Sequence, residues 1–313
     1  MTDRPLRYRP ENPLSWWHRD PARSNQYCLY CGRFVGAGST LISDREHLIA
    51  RNFVPTGKLH ASSFNFIFRA CRECNDRKGD AERHVSSVTL LNSPRRLDDP
   101  AIDQIARRKG SGDYSPTGQG IRIGEEVHRH TIEFAMQGAT LGFEMVAPPQ
   151  LDPERAGLLA FHQIQALFSM VTTTNLTDPQ AIRILPIDQW HQLGLFEWRD
   201  WGNPWLRTLE QRTKKWREAA IIDTAYGYFK AVLRRGSDEE GWFWALEWNQ
   251  CVRVAGCIAR PKEIPTAFRD LPQLPWQLLP DGKGRIREEV PLVDGEDTLF
   301  RFDDDDGSQR ADV

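Results

Sequence analysis

Four of the six cysteines in this 313-residue chain form two CxxC pairs, Cys28 with Cys31 and Cys71 with Cys74. Thiolates at that spacing converge on one tetrahedral metal ion, and four sulfurs select structural zinc. Between the pairs, Glu46 and His47 put a carboxylate and an imidazole side by side. Asn65 follows, then Asn75 directly after the last cysteine and Lys78 three residues on. Near neutral pH an unprotonated imidazole can take a proton from water. Glu46 and Asn75 offer oxygen ligands to a hard ion such as Mg²⁺ or Mn²⁺. Such an ion relieves charge on a phosphate, and Lys78, Arg51, Arg72 and Arg77 are cations suited to the neighbouring phosphates. Together these groups supply what phosphodiester hydrolysis needs: a nucleophile, a route for its proton and charge relief.

The elements that must position them are short. The Asp44–His47 stretch reads as the end of a strand, and residues after Cys74 as the start of a helix. The cysteines do no chemistry in this account; they hold a strand pair against a helix so that His47 and a metal face one phosphate. Asp44 shares a strand face with Glu46 and is the alternative carboxylate ligand. Residues 1–25, with four prolines and the adjacent Trp16 and Trp17, read as an irregular arm that packs through the tryptophans.

The ordered set CxxC, acid–His, middle Asn, CxxC–Asn and Lys resembles the HNH endonuclease family, the zinc-knuckle branch of the ββα-metal nucleases. The resemblance covers about 50 of the 313 residues. It implies a general base at His47, a catalytic divalent ion on Glu46 and Asn75, and an Asn65 that orients the histidine, with Ser63 as the alternative middle position. It also implies DNA as the partner and a bacterial defence or mobile-element setting. A zinc-knuckle scaffold that binds nucleic acid without cutting, and an RNA-directed nuclease, are the alternatives.

Charge is uneven. Residues 1–95 carry a net +6 and the remainder a net −8, so the cysteine-bearing segment is the one able to attract a polyanion. No run of apolar residues is long enough to span a membrane, and no secretory signal is evident, so a cytoplasmic chain without a membrane partner is expected. The expected organisation is α+β: a zinc-stabilised nuclease module with its arm over 1–91, a linker over 92–120 holding a helix near Ile102–Arg108, a mainly helical domain over 121–290 and an acidic, disordered tail over 291–313.

Within the second domain, helices are predicted over Glu125–Met145, Asp152–Thr173 and Asn203–Arg235, the last with a break near Gly227, and two strands around Glu247–Gln250. Trp190, Trp198, Trp201, Trp205 and Trp216 read as its core, and Cys251 and Cys257 as small buried hydrophobes. This acidic half is a poor nucleic-acid surface. A protein partner, an activating ligand or a second copy of the chain are the partners open to it.

Overall fold

The computed structural model describes residues 6–7, 14–59, 65–116, 120–136, 139–178, 180–237, 241–260, 264–279, 285–293 and 295–301. Ser63 and His60 lie outside them. After the two-residue strand β1 (Leu6–Arg7) comes the cysteine knuckle, then β2 (Ser43–His47) paired antiparallel with β3 (Ile67–Cys71), in a register that sets Ser43 opposite Cys71 and His47 opposite Ile67. The outer edge of β3 is covered by the arm. Ile67 donates to Leu14 and accepts from Trp16, while the Asn25 amide both donates to and accepts from the Arg69 backbone, as a neighbouring strand would. Trp16 closes the arm edge-on against Phe66, as expected of it.

β3 runs straight into α1 (Arg72–Leu91), which buries Cys74, Lys78, Ala81, Glu82 and Val85 at spacings of three and four. The expected linker is instead packed structure. It holds a turn of helix, α2 (Arg95–Asp98), and α3 (Pro100–Gly112), capped by Asp99 with Pro100 in the first turn. Ile102, Ala106 and Gly110 make the buried stripe of α3, and Gly110 sits so close to Leu91 and Gly124 that a Cβ would collide with both. The helix expected near Ile102–Arg108 lies inside α3, and the small residues on its buried face hide its packing from the sequence.

The helix expected over Glu125–Met145 is a hairpin, β4 (His128–Met136) and β5 (Ala139–Ala147). Thr131, Ile132 and Phe134 are residue types that favour strands, so local propensity agrees with the pairing. The next helix forms as expected: α4 (Pro153–Thr172), with Asp152 accepting from the Glu154 and Arg155 amides. β6 (Trp190–Glu197) follows. The long pattern over 203–235 divides. Asn203 caps α5 (Pro204–Thr213) as expected, but the rest is β7 (Arg217–Thr224) and β8 (Phe229–Arg235), turned through Ala225, Tyr226 and Gly227 at positive φ. Ala220, Ile221 and Ile222 are buried in succession, so neither a helical nor a strand period is visible there. β9 (Trp242–Trp248) and β10 (Val252–Ile258) are the two strands expected, joined at Asn249 and Gln250, both near φ +52°.

The short β element is thus the middle of a six-stranded sheet in the order β1-β7-β8-β9-β10-β6, antiparallel except for β1. The second half is helical through α4 and α5 and carries far more strand than expected. α4 packs on one face, where Gln163 accepts from the Trp248 indole at 2.9 Å and Trp190 stacks on Trp244. α5 packs on the other through Leu206 and Leu209. The five tryptophans do pack against core, though a sheet core, and Cys251 and Cys257 are buried.

The cysteine module is not a separate body. One continuous core runs from Cys28 and Phe53 through α4 to Trp248 and Val254. At the junction the Asn249 amide donates to the Phe53 carbonyl at 3.2 Å and to the Thr89 hydroxyl at 2.9 Å. The tail expected from 291 is also partly packed, with Leu299 and Phe300 buried and Arg234 donating to the Leu299 carbonyl. Residues 302–313 lie outside the described ones. Among the described residues, no helix is long and apolar enough to cross a membrane.

Candidate functional site

The knuckle turns at Gly32, whose φ of +72° lets its amide return to the Cys28 carbonyl at 2.8 Å. That turn aims Cys28 and Cys31 at Cys71, the last residue of β3, and Cys74 in the first turn of α1. All four sulfurs lie within 4.8 Å of one another. Cys31 and Cys71 are 3.7 Å apart, close to the ~3.8 Å edge of a tetrahedron with metal–sulfur bonds of about 2.3 Å. Arg33 donates to Cys31 and Cys71 at 3.2 Å and pairs with Glu73. Left to themselves the four thiols share their protons: hydrogen bonds lower Cys31 and Cys71, while Cys28 and Cys74 are raised. The four cysteines fit a single metal ion, at the base of a β-β-α unit.

His47 ends β2, half-buried, and its ring makes no hydrogen bond to any described residue. Burial, then the charges of Arg45, Arg51 and Lys78, lower its pKa to about 4, so it is neutral at physiological pH. Asn65 clamps the chain just beyond it, donating to the Ile49 carbonyl at 2.7 Å and accepting from the Ile49 amide at 3.2 Å. This fixes the backbone that follows His47 rather than the ring itself.

Glu46 points the other way, onto α1, and is 4% exposed. Its Oε1 accepts from the Tyr30 hydroxyl at 3.0 Å and lies 2.8 Å from Lys78 Nζ. Lys78 also reaches Glu82 at 2.7 Å and the His47 carbonyl at 3.0 Å, so all three ammonium protons are used. Glu82 in turn accepts from the Ala50 amide. The two carboxylates outweigh the burial cost and hold Lys78 above its ordinary pKa, whereas burial raises Glu82 and Tyr30.

Two sequence expectations change. Lys78 is fully buried in an ion pair and is no phosphate contact. Glu46 and Asn75 do not fit a divalent-ion site as arranged, because an ammonium already occupies the Glu46 carboxylate. Asn75 is half-buried in the first turn of α1 and hydrogen-bonds no described residue; the helix cap is Cys71. Asp44, the alternative ligand, is paired with Arg72 at 3.0 Å. Arg51 and Arg77 are exposed without a partner among the described residues. His84 accepts from the Asp152 amide, away from the sulfurs.

Sequence reasoning missed Tyr30 and Glu82. The signal for Glu82 was present: Lys78 and Glu82 are an i,i+4 pair straddling Ala81 on the apolar face of a helix. Tyr30 lies between two ligands, where the CxxC spacing says nothing about the intervening side chains. No protein-family profile, no curated protein and no solved structure matches the chain.

Proposed function

We propose that this chain is an HNH-type endonuclease that hydrolyses phosphodiester bonds in DNA, with zinc in the Cys28–Cys31–Cys71–Cys74 cluster and His47 as general base. The observation that carries the proposal is a neutral imidazole at the end of a strand in a metal-binding β-β-α unit, with the unpaired Arg51 four residues away. His47 accepts a proton from water as the water oxygen bonds to phosphorus. The bond from phosphorus to the leaving sugar oxygen breaks, and that oxygen takes a proton from solvent. Arg51, with Arg77 and Arg72, attracts the backbone. Asn65 keeps the base in place by holding the Ile49 backbone. Mg²⁺ or Mn²⁺ at Glu46 and Asn75 remains part of the family resemblance, but it requires Lys78 to leave Glu46, and no step here passes through it.

A second reading is favoured by one observation: the buried Glu46–Lys78 pair. A frame whose would-be ligand is permanently neutralised binds nucleic acid without cutting. Incubation with plasmid, linear duplex, single-stranded DNA and RNA, with Mg²⁺, Mn²⁺ or EDTA, separates the two. Cleavage that His47→Ala lowers by about 10²–10⁴-fold supports the nuclease, that being the usual range for a general base. Binding with no cleavage under any of these conditions leaves the scaffold.

A further inference from the structure

Beyond the His47 end of β2, the chain from Ala50 to Thr56 faces α1 and α3 across a cleft of about 560 Å³. That size is within the ~300–1,000 Å³ of small-ligand sites. Its cations are Arg51, Arg83, Arg108 and Lys109. Lys109 is committed, donating to the Asn52 carbonyl and the Ser86 hydroxyl, and Arg83 leans on Asp80. Arg51 and Arg108 are exposed and have no partner among the described residues. The two carboxylates are already engaged, Glu82 by Lys78 and Asp113 by the Ser87 hydroxyl. Four cations against two carboxylates leave the cleft positive, and the half-buried Ile105 is its apolar side, Phe53 and Val54 being almost fully buried behind it.

Gly79 also lines this cleft, in the middle of the twenty-residue α1. A glycine there weakens a helix. Its neighbours do not require it, because an added Cβ would meet no atom within 4 Å. A glycine whose missing side chain opens onto a cationic cavity is what close approach of a ligand to a helix needs.

We infer that this cleft binds one nucleoside monophosphate unit, its phosphate between Arg51 and Arg108 and its base against Ile105 beside Gly79. The unit comes either from a strand that continues toward His47 or from a free nucleotide. Only the strand source rests on the nuclease reading; the anion chemistry of the cleft does not.

The test measures binding of a labelled single-stranded 12-mer DNA and of 5′-AMP without added divalent ions, for the wild type, Gly79→Ala, Gly79→Leu and Arg51→Ala/Arg108→Ala. Thermal melting and metal content identify any variant that is misfolded. Gly79→Leu should fold and lose at least tenfold in affinity, with Gly79→Ala losing less. The arginine pair should lose at least tenfold, and its salt dependence should flatten by about two phosphate contacts. If 5′-AMP competes with the 12-mer, the cleft takes free nucleotides; if only the 12-mer binds, it is a strand subsite. Folded Gly79→Leu and arginine variants that bind both probes as the wild type does would overturn the inference. Binding lost in the variants while the wild type cuts nothing would remove the nuclease and keep the cleft. Cleavage with binding indifferent to Gly79 and the arginines would do the reverse.

Discussion

Lys78 Nζ lies 2.8 Å from Glu46 Oε1, and neither side chain reaches water. A buried pair of this kind is poor evidence of net stability, but breaking it is costly, since about 3–5 kcal/mol follows the loss of one partner. Lys78→Met should therefore lower stability by several kcal/mol in denaturant titrations. A divalent ion can take the place of the ammonium between Glu46 and Glu82, so Mn²⁺ should raise the melting temperature of Lys78→Met and leave the wild type unchanged. No response of the variant to Mn²⁺ would make the triad purely structural.

The metal cluster is joined to the main sheet by one core, so its loss should be felt throughout. Purified protein should hold about one zinc per chain, since four thiolates select zinc. Cys74→Ser, or a chelator, should lower a single cooperative transition rather than melt the N-terminal module alone. Two well-separated transitions in calorimetry would contradict this.

With its pKa near 4, His47 is already unprotonated at pH 5. If it is the base, the rate should be nearly flat from about pH 5.5 to 8 and fall only as pH drops toward 4. A free imidazole would give a rise centred near 6.5. A pH–rate profile on plasmid substrate distinguishes the two, and a midpoint near 6.5 would mean that the ring is solvated rather than buried and that the neighbouring cations are screened from it.

His162 sits on α4, edge-on to Tyr30, and its Nδ1 bonds the Leu158 carbonyl at 2.8 Å. Burial lowers its pKa to about 4, below the unfolded value of about 6.5. Between those values the unfolded chain binds more protons, so this contribution is complete above pH 6.5 and is lost as pH falls through about 4. Urea midpoints measured from pH 7.5 to 5 should decline, and less steeply for His162→Phe. Equal declines in the two proteins would assign the acid sensitivity elsewhere.

Asn249 occupies a left-handed turn position and bridges two buried acceptors, Phe53 and Thr89. Asn249→Ala should cost about 1 kcal/mol, because the Phe53 carbonyl keeps the Ser86 hydroxyl and only Thr89 loses its donor. Urea denaturation with fluorescence of the neighbouring Trp248 reports it, and a change below 0.5 kcal/mol would show the junction to be replaceable.

The cysteine cluster was legible because metal geometry constrains residue type and spacing together, and α4 because Asp152, Pro153 and the Leu158–Phe168 periodicity agree. Asn65 was singled out by resemblance as the residue that orients His47, but its bonds go to the Ile49 backbone. The orientation of Glu46 was not. Alternation along a strand says which residues share a face, but only tertiary packing decides which face meets α1, and there it places Lys78. The strands of the main sheet were hidden for a related reason: Ala220–Ile222 are buried on both faces, so their sequence carries no period. α3 was legible as the short helix near Ile102–Arg108, but its small residues hid its full length and its close packing on α1.

The Asn249 junction also sets the order of assembly during synthesis. Thr89 and Asn249 are 160 residues apart in sequence. At the ~5–20 residues per second of a ribosome, that separation is on the order of 10–30 s of translation. Throughout that interval the His47-bearing segment has been made, but the Asn249 amide that ties Phe53 and Thr89 to the main sheet has not. The join between the cysteine module and the main sheet is therefore closed only after residue 249 has emerged.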